Sequence, residues 1–320
     1  MTSPARPTLA GHIAICRVDH WFKNVFIAPG IVAASGLDAA NVAPGLALRI
    51  ALGTLAICLV ASSNYVINEV LDAPTDLAHP IKRQRPVPSG RVSVPWAYAQ
   101  WLALVAAGLG LASLVSLRFT ATAAALWVMG CVYNIRPLRT KDVPYLDVLS
   151  EAINNPIRML AGWFIVTSSS VAPGSLILCY WMLGCYFMAI KRYGEYRDFD
   201  DPARAAAYRR SFAGYTADRL LVSISFYGSS AMLFFGAFIM RYRMELIMAF
   251  PFVALVMAMY LALALDRNSA VQHPETLYKE PRLMAAVIAC SVVMAIALLV
   301  DIPIIPRIFV PTAPTIAHPQ

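Results

Sequence analysis

A run of oxygen-bearing side chains ends an apolar stretch near residue 70. Asn68, Asp72 and Asp76 recur every four residues, and Glu69 stands beside the first of them. On a helix this spacing places the three on one face, although Pro74 would disturb the helix between the last two. Hard oxygen donors at this density favour Mg²⁺, which binds through one or two carboxylates together with substrate phosphates. The run therefore predicts a metal site formed by Asn68, Glu69, Asp72 and Asp76, whereas the alternative is a solvated, charged loop.

Basic residues follow the acidic run and would complement it. Lys82, Arg83 and Arg85 precede a rigid Pro-Val-Pro-Ser-Gly segment. Lys and Arg side chains bind phosphate oxygens through charge-assisted hydrogen bonds, including those oxygens that a metal leaves uncovered. We therefore expect these three residues to bind phosphate groups of a substrate beside the predicted metal.

A second stretch, residues 133–158, combines basic loop residues with a polar helix face. Asp147, Glu151, Asn154 and Arg158 fall at i, i+4, i+7 and i+11 of an apolar segment, which places them along one helix stripe. Ionisable groups inside a membrane span face a protein interior or a water-filled cavity, and are candidates for function. Arg158 either forms a structural ion pair with Glu151 or a neighbouring helix, or binds an anionic group of a substrate.

A third cluster, Lys191 and Arg192, ends another apolar stretch, with Glu195 in the next turn. An ion pair between Lys191 and Glu195 is one interpretation, and phosphate binding is the other. The segment that follows has the pattern of an amphipathic interfacial helix, which predicts that its arginines face lipid. Those arginines are Arg204, Arg209 and Arg210.

The composition indicates that these motifs connect membrane helices. Of the 320 residues, 59% are hydrophobic and 14% are charged, whereas about a quarter of an average soluble domain is charged. This excludes a disordered chain and a disulfide-stapled module, and the six scattered cysteines are expected to pack as small apolar side chains. A helix needs roughly 20 apolar residues to cross a bilayer. The candidate stretches lie near residues 21–36, 45–67, 95–117, 119–134, 146–166, 172–190, 219–240, 244–265 and 283–304.

The distribution of charge predicts the orientation of these spans. With nine spans, 20 of the 26 Lys and Arg residues fall on the side of the N-terminus and four fall on the other side. Cytoplasmic loops carry the excess of basic residues, so the N-terminus and the motif loops are predicted to be cytoplasmic. We therefore predict an all-α polytopic membrane bundle of about nine helices, forming a single domain over residues 1–310, with a disordered tail over 311–320.

These motifs resemble those of the UbiA superfamily of intramembrane prenyltransferases. The first acidic motif of that family, Asn-Asp-x-x-Asp-x-x-x-Asp, is similar to residues 68–76, and its Arg-Pro-x-Pro-Ser-Gly continuation to residues 85–90. A Tyr-Ser-x-x-Pro-type loop is similar to residues 133–137, and the second acidic motif to residues 147–151. Glu69 departs from the family by replacing an aspartate. The resemblance covers nearly the whole chain.

Within the superfamily the chain resembles the decaprenyl-phosphate phosphoribosyltransferase branch. Residues 17–24 are similar to its Arg-Pro-x-Gln-Trp-x-Lys-Asn opening, and residues 191–195 to its Lys-Arg-x-x-Glu motif. The resemblance adds Lys23 and Asn24 to the predicted site. The alternative for these two residues is that their segment anchors the chain at the membrane interface. It implies 5-phosphoribosyl 1-diphosphate as the donor and a polyprenyl phosphate as the acceptor.

Together these features predict an Mg²⁺-dependent membrane transferase with a diphosphate leaving group. The alternative is transfer of a prenyl group from an allylic diphosphate to an aromatic or other small acceptor. A transporter is disfavoured because the sequence shows no internal repeat, and nucleic-acid binding because the basic residues are spread over short loops. The resemblance also implies that the protein lies in the bacterial inner membrane. The sequence is compatible with a homo-oligomer.

The predicted site is large. Its catalytic residues are Asp72, Asp76, Asp147 and Glu151. Its substrate-binding residues are Lys23, Asn24, Asn68, Lys82, Arg83, Arg85, Tyr133, Arg136, Lys141, Arg158, Lys191 and Arg192.

Overall fold

The computed structural model describes residues 6–37, 44–77, 82–266, 270–272 and 274–309. Within these ranges the chain forms helices joined by turns, without a β-strand. This confirms the predicted all-α class. The predicted tail over residues 311–320 lies outside the described residues.

The α-helices are α1 (Leu9–Ala14), α2 (Ala28–Leu37), α3 (Leu46–Asp76), α4 (Val94–Ser113), α5 (Leu117–Asn134), α6 (Leu146–Ala152), α7 (Asn154–Val166), α8 (Gly174–Arg197), α9 (Pro202–Tyr208), α10 (Ala217–Tyr242), α11 (Phe250–Ala264), α12 (Pro281–Leu299) and α13 (Ile304–Ile308). The longer 3₁₀ helices are Val18–Ile27, Arg210–Gly214, Met244–Ala249 and Pro274–Lys279.

Six helices among the described residues are long and apolar enough to cross a membrane, so the chain is an integral membrane protein. They are α3, α4, α8, α10, α12 and the segment Met244–Ala264, in which a 3₁₀ turn leads into α11. Many apolar side chains on these helices are exposed on the outer surface of the bundle, as contact with lipid requires.

The other three predicted spans have a different form. Residues 21–36 belong to the first 3₁₀ helix and α2, and residues 119–134 to α5. The predicted span over 146–166 is divided into α6 and α7. A continuous helix would need a hydrogen bond from residue 156 to the carbonyl of Ala152, and Pro156 has no N–H to donate.

α3 carries the first acidic motif beyond the apolar layer. It has 31 residues, which at a rise of 1.5 Å per residue corresponds to about 46 Å, compared with about 30 Å for the hydrocarbon core. The helix continues through Pro74 to Asp76, so the disturbance expected at this proline does not end it. The shared face of Asn68, Asp72 and Asp76 is therefore kept.

Two large apolar cores and two smaller clusters hold the described residues of the bundle together, and the two large cores flank the site. One lies among α6, α8, α10 and α11 and includes the fully buried Ile190 and Leu220. The other lies among α2, α3, α5 and α7 and includes Ile57 and Phe119. Helices from both groups contribute walls to one polar cavity, so packing in each core determines where those walls stand.

The N-terminal 3₁₀ helix and α2 lie directly on the backbone of α7. A Cβ at Gly162 would stand 2.0 Å from the carbonyl oxygen of Ile27, and one at Gly30 would stand 1.8 Å from that of Met159. Only glycine permits such approach. This contact brings the segment that carries Lys23 and Asn24 against α7.

Candidate active site

A polar cavity of about 280 Å³ lies beside the end of α3. Nine of its lining side chains are Lys or Arg and three are Asp or Glu. Such a surplus of positive charge in a partly enclosed space favours polyanions, including diphosphates. The acidic and basic lining residues are Arg17, His20, Lys23, Asp72, Asp76, Lys82, Arg85, Lys141, Glu151, Arg158, Lys191, Arg192 and Arg209.

Asp72 and Asp76 line the cavity on the last turns of α3, and basic side chains bind both carboxylates. Asp72 Oδ1 accepts hydrogen bonds from Lys141 Nζ at 2.5 Å and from Arg139 Nη2 at 2.9 Å. Asp76 Oδ2 accepts one from Arg85 Nη1 at 2.6 Å. The acidic motif and the basic residues of two separate loops therefore meet in one place.

Two asparagines join α3 to α5 beside these acids. Asn134 Oδ1 accepts hydrogen bonds from Asn68 Nδ2 at 2.5 Å and from Lys141 Nζ at 2.8 Å. Burial lowers the pKa of Lys141, and the charge of Asp72 opposes that shift. The group fixes Lys141 at the acidic end of the cavity.

A basic wall, formed by Lys82, Lys191, Arg192 and Arg209, lines another part of the cavity. Three of these residues surround Glu195, which lies 3.1 Å from Arg192 Nη1, 3.7 Å from Arg209 Nε and 4.0 Å from Lys191 Nζ. The predicted pair of Lys191 with Glu195 is thus one contact in a larger cluster. Burial, together with the nearby Arg209, lowers the pKa of Lys82.

Arg158 lines the cavity from α7 and is held by neutral groups. Its Nε donates to Asn24 Oδ1 at 2.9 Å and its Nη1 donates to the carbonyl of Asn154 at 3.4 Å. Asn24 Nδ2 in turn donates to Cys58 Sγ at 3.1 Å. Within the described residues no Asp or Glu carboxylate lies within 4.0 Å of the guanidinium. The expected alternative, an ion pair of Arg158 with Glu151 or another helix, is therefore not present in the described part of the chain.

The structure brings together most of the predicted site residues. The cavity is lined by Lys23, Asn68, Asp72, Asp76, Lys82, Arg85, Tyr133, Lys141, Glu151, Arg158, Lys191 and Arg192. Asn24 is buried behind it and contacts Arg158. Arg83, in the short 3₁₀ helix Lys82–Gln84, and Arg136, in the turn after α5, are exposed and do not line it.

Glu69 differs from its predicted role as a metal ligand. Its side chain is only 2% exposed and does not line the cavity. Its Oε1 accepts a hydrogen bond from the backbone N–H of Val87 at 3.0 Å, and its Oε2 lies 3.9 Å from Arg17 Nε. Glu69 is one residue away from the face shared by Asn68 and Asp72, so it holds the following loop rather than the cavity.

Asp147 also differs from prediction, since it is fully buried and does not line the cavity. Its carboxylate accepts hydrogen bonds from Arg192 Nε at 3.0 Å, Ser211 Oγ at 3.1 Å and Tyr215 Oη at 2.7 Å. Glu151, four residues later on α6, lines the cavity, whereas the Asp147 carboxylate is enclosed by contacts from α8 and from the segment before α10. Asp147 therefore anchors a basic residue of the cavity instead of facing a substrate.

Arg209 lines the cavity, although its segment was predicted to face lipid. α9 ends at Tyr208, and the chain turns into a 3₁₀ helix in which Phe212 is buried. This turn directs Arg209 towards Glu195. Sequence periodicity contained no signal for the turn. Arg139 was also absent from the predicted site residues. It lies inside the 133–158 stretch, so the motif in that stretch did indicate its position.

The oxygen ligands at the end of α3 fit a divalent cation that is also bound by substrate phosphates. The described residues contain no group of three or more His, Cys, Asp or Glu side chains arranged as a complete metal cage. Two carboxylates, Asp72 and Asp76, and the amide of Asn68 share the cavity wall. Mg²⁺ characteristically binds through one or two carboxylates with substrate phosphates and water as its other ligands, and the cavity's basic residues are suited to those phosphates.

Known proteins share both sequence and fold with this chain. The sequence profile of the UbiA prenyltransferase family matches residues 25–285. The decaprenyl-phosphate phosphoribosyltransferase of Mycolicibacterium smegmatis is 29% identical over 68% of this chain. The matched region covers 66% of that protein, just under two thirds of its length. The protoheme IX farnesyltransferase of Sorangium cellulosum is 27% identical over 68% of the chain and 82% of that protein.

A solved structure gives the same architecture. The UbiA homolog from Archaeoglobus fulgidus bound to DMAPP and Mg²⁺ superimposes with a TM-score of 0.65, covering 87% of this chain and 97% of that one at 18% identity. At this identity the likeness concerns the fold. Because the family profile covers most of the chain, this integral membrane protein belongs to the UbiA prenyltransferase family.

Proposed function

We propose that the chain is an Mg²⁺-dependent transferase that moves 5-phosphoribose from 5-phosphoribosyl 1-diphosphate to a polyprenyl phosphate. The observation that carries the proposal is the charge of the cavity, where nine Lys or Arg side chains face three Asp or Glu side chains. An allylic diphosphate brings one diphosphate group. The phosphoribosyl donor and the lipid acceptor bring a diphosphate and two further phosphates, so they make better use of the surplus of cations.

The acidic end of the cavity is the proposed place of the leaving diphosphate. Asp72 and Asp76, with Asn68, would hold Mg²⁺, which when bound neutralises negative charge on a leaving group. Arg85 and Lys141 contact these same carboxylates, so their ammonium and guanidinium groups stand where diphosphate oxygens would be bound.

The remaining basic residues are proposed to bind the other phosphates. Lys191, Arg192 and Arg209 stand together around Glu195. Arg158 and Lys23 line the part of the cavity next to α7. An ionised lipid phosphate needs no strong general base to attack C1 of the ribose, so the protein's task is to orient the two substrates and to stabilise charge.

The proposed topology has nine membrane crossings in a single domain, with the N-terminus and the catalytic loops in the cytoplasm of a bacterial inner membrane. Six crossings are the long helices described above. The other three would be the segment Val18–Ile27 with α2, the 18-residue α5, and α6 with α7. The excess of basic residues on one side of such an arrangement supports this orientation.

The second candidate function is prenyl transfer from an allylic diphosphate to a small acceptor. The observation in its favour is that the relatives include a protoheme IX farnesyltransferase and a fold neighbour bound to DMAPP. The acidic end of the cavity would serve this reaction equally well, because both donors leave diphosphate.

A donor comparison tests the proposal. Purified full-length protein in detergent with Mg²⁺ receives either labelled 5-phosphoribosyl 1-diphosphate with a polyprenyl phosphate, or labelled allylic diphosphate with aromatic acceptors. We expect label to pass from the ribose donor to the lipid and to stop passing when EDTA is added. Transfer from the prenyl donor alone would establish the second candidate instead.

A further inference from the structure

We propose that Glu151, with Asn154, binds hydroxyl groups of the donor's sugar and so selects a hydroxylated donor over a hydrocarbon one. This inference rests on the proposed function. It assigns these two residues a different task from the diphosphate-binding groups. Both line the cavity, at the end of α6 and the start of α7.

The carboxylate of Glu151 differs from the two other carboxylates of the cavity. Asp72 and Asp76 each accept a hydrogen bond from a basic side chain at 2.9 Å or less. Within the described parts of the chain, no Lys or Arg nitrogen lies within 4.0 Å of Glu151, and no donor is bonded to its carboxylate. In a wall this rich in cations, Glu151 is a carboxylate whose oxygens stay open to a hydrogen-bond donor of a ligand.

Asn154 adds a second unmet acceptor in the next turn. Its Nδ2 donates to the carbonyl of Glu151 at 3.1 Å, which fixes the orientation of the amide. Its Oδ1 is buried and accepts no hydrogen bond within the described structure. A buried acceptor without a partner is costly, so this oxygen requires a donor. The two acceptors are three residues apart along the chain.

The surroundings indicate where the missing donors come from. Arg158 donates to the Asn154 carbonyl, and Lys191 on α8 lies close enough to Glu151 for an electrostatic interaction. A ligand with phosphates at both of these cations would place its middle beside Glu151 and Asn154. Ribose hydroxyls are hydrogen-bond donors, whereas an allylic hydrocarbon offers none: it would leave the buried Asn154 oxygen without a partner and place an apolar group against the Glu151 carboxylate.

The alternative occupant, a second metal ion, finds too few ligands here. Asp147 is the other acid of this motif, and it is fully buried and bound by three donors. The described residues supply no group of three acidic, His or Cys ligands around Glu151. A single carboxylate with one amide oxygen fits a pair of hydroxyl groups better.

A cycle of enzyme and donor variants tests the inference. Full-length wild type, Glu151→Ala and Glu151→Gln are assayed with 5-phosphoribosyl 1-diphosphate and with its 2-deoxy and 3-deoxy analogues. For wild type, we expect kcat/KM to fall on the order of 10- to 100-fold when the bound hydroxyl is removed, because a hydrogen bond to a charged group is lost. For Glu151→Ala, the same deoxy donor should cause little further loss, since residue and hydroxyl are coupled.

Glu151→Gln keeps the size of the side chain and one acceptor oxygen, so it should retain part of the discrimination and leave the half-saturating Mg²⁺ concentration unchanged. Asp200→Ala removes an exposed acid outside the cavity and should behave as wild type with every donor. The inference would be overturned if removing a hydroxyl from the donor lowered kcat/KM by the same factor in Glu151→Ala as in wild type, for both deoxy donors. A raised Mg²⁺ requirement in Glu151→Gln would also overturn it. Wild type that uses only the allylic donor would overturn the proposed function itself, together with this inference.

Discussion

The hydroxyl of Tyr215 donates to Asp147 Oδ1 at 2.7 Å and accepts a hydrogen bond from the backbone N–H of Tyr145 at 2.6 Å. Asp147 also holds Arg192, a residue of the cavity wall. Burial and the adjacent Asp147 raise the pKa of Tyr215, so its hydroxyl stays protonated and able to donate. The loop before α10 is thereby tied to the basic wall through one buried carboxylate.

Replacing Asp147 by Asn should therefore destabilise the protein and weaken donor binding. Removing one partner of a buried ion pair costs about 3–5 kcal/mol, which would lower Tm in a thermal unfolding measurement, and the released Arg192 should raise the KM for donor more than it lowers kcat. Tyr215→Phe removes one hydrogen bond, worth about 1 kcal/mol, and should show a smaller change in the same direction. The control is Tyr278→Phe, at an exposed tyrosine. Unchanged Tm and KM in Asp147→Asn would contradict the anchoring role.

Asp72→Asn and Asp76→Asn should each reduce turnover by about 100-fold or more, because the stabilisation that a metal ion gives a leaving group is worth several kcal/mol. Asn keeps the size of each side chain and one accepting oxygen for the basic partners, so the folded protein should remain with a lowered Tm, although Asp76 is buried against Arg85. Circular dichroism and Tm serve as the controls for folding. Removing divalent cations with EDTA should abolish wild-type activity, and adding Mg²⁺ should restore it. Wild-type rates in the two variants would rule out the metal site.

Glu69→Asp and Glu69→Gln should separate loop positioning from metal binding. A carboxylate shortened by one methylene cannot reach the N–H of Val87, whereas glutamine keeps the accepting oxygen. We therefore expect Glu69→Asp to lose more activity than Glu69→Gln, by about 5- to 10-fold for one hydrogen bond of about 1 kcal/mol. A metal ligand would behave in the opposite way, since aspartate keeps the charge and glutamine does not. Initial rates at several Mg²⁺ concentrations decide between the two.

The affinity for the donor should fall as the pH rises, and it should fall at a lower pH than if it depended on a lysine with an ordinary pKa. Burial, together with the charges of Arg209 and Arg85, lowers the pKa of Lys82, while Asp76 and Glu195 act against that shift. Lys82 is charged below this lowered pKa and loses its charge as the pH rises through it. KM for donor, measured from about pH 7 to about pH 10, should therefore rise with pH. Lys82→Arg keeps its charge and should move the rise to higher pH; an unshifted profile would exclude Lys82 as its source.

Local periodicity was sufficient to predict the acidic end of the site. Asn68, Asp72 and Asp76 lie on one helix, so a spacing of four residues determines their shared face whatever surrounds them. The same periodicity failed for Asp147, which shares α6 with the cavity residue Glu151. Asp147 is buried because Arg192, Ser211 and Tyr215 enclose its carboxylate, and these tertiary contacts leave no trace in the spacing. The all-α class and the six long helices followed from composition and from the length of the apolar stretches.

Arg209 could not be predicted because its position depends on a tertiary contact. A 3₁₀ turn around the buried Phe212 brings it to Glu195, and those residues belong to separate helical segments. Likewise, nothing in the sequence distinguishes Asp72, which has two basic partners, from Glu151, which has none within 4.0 Å among the residues that the structure describes. That difference depends on which loops reach which helix end.

The length of α3 has a consequence for the medium in which the protein works. One rigid helix of 31 residues contains both the apolar segment that sits in the bilayer and the acids of the cavity, so the height of the cavity above the lipid is fixed by how the apolar segment matches the membrane. Hydrophobic mismatch makes a helix tilt or the bilayer deform. Vesicles of graded acyl-chain length should therefore change the rate with a lipid acceptor while the soluble donor's binding stays the same, which makes bilayer thickness a variable of this active site.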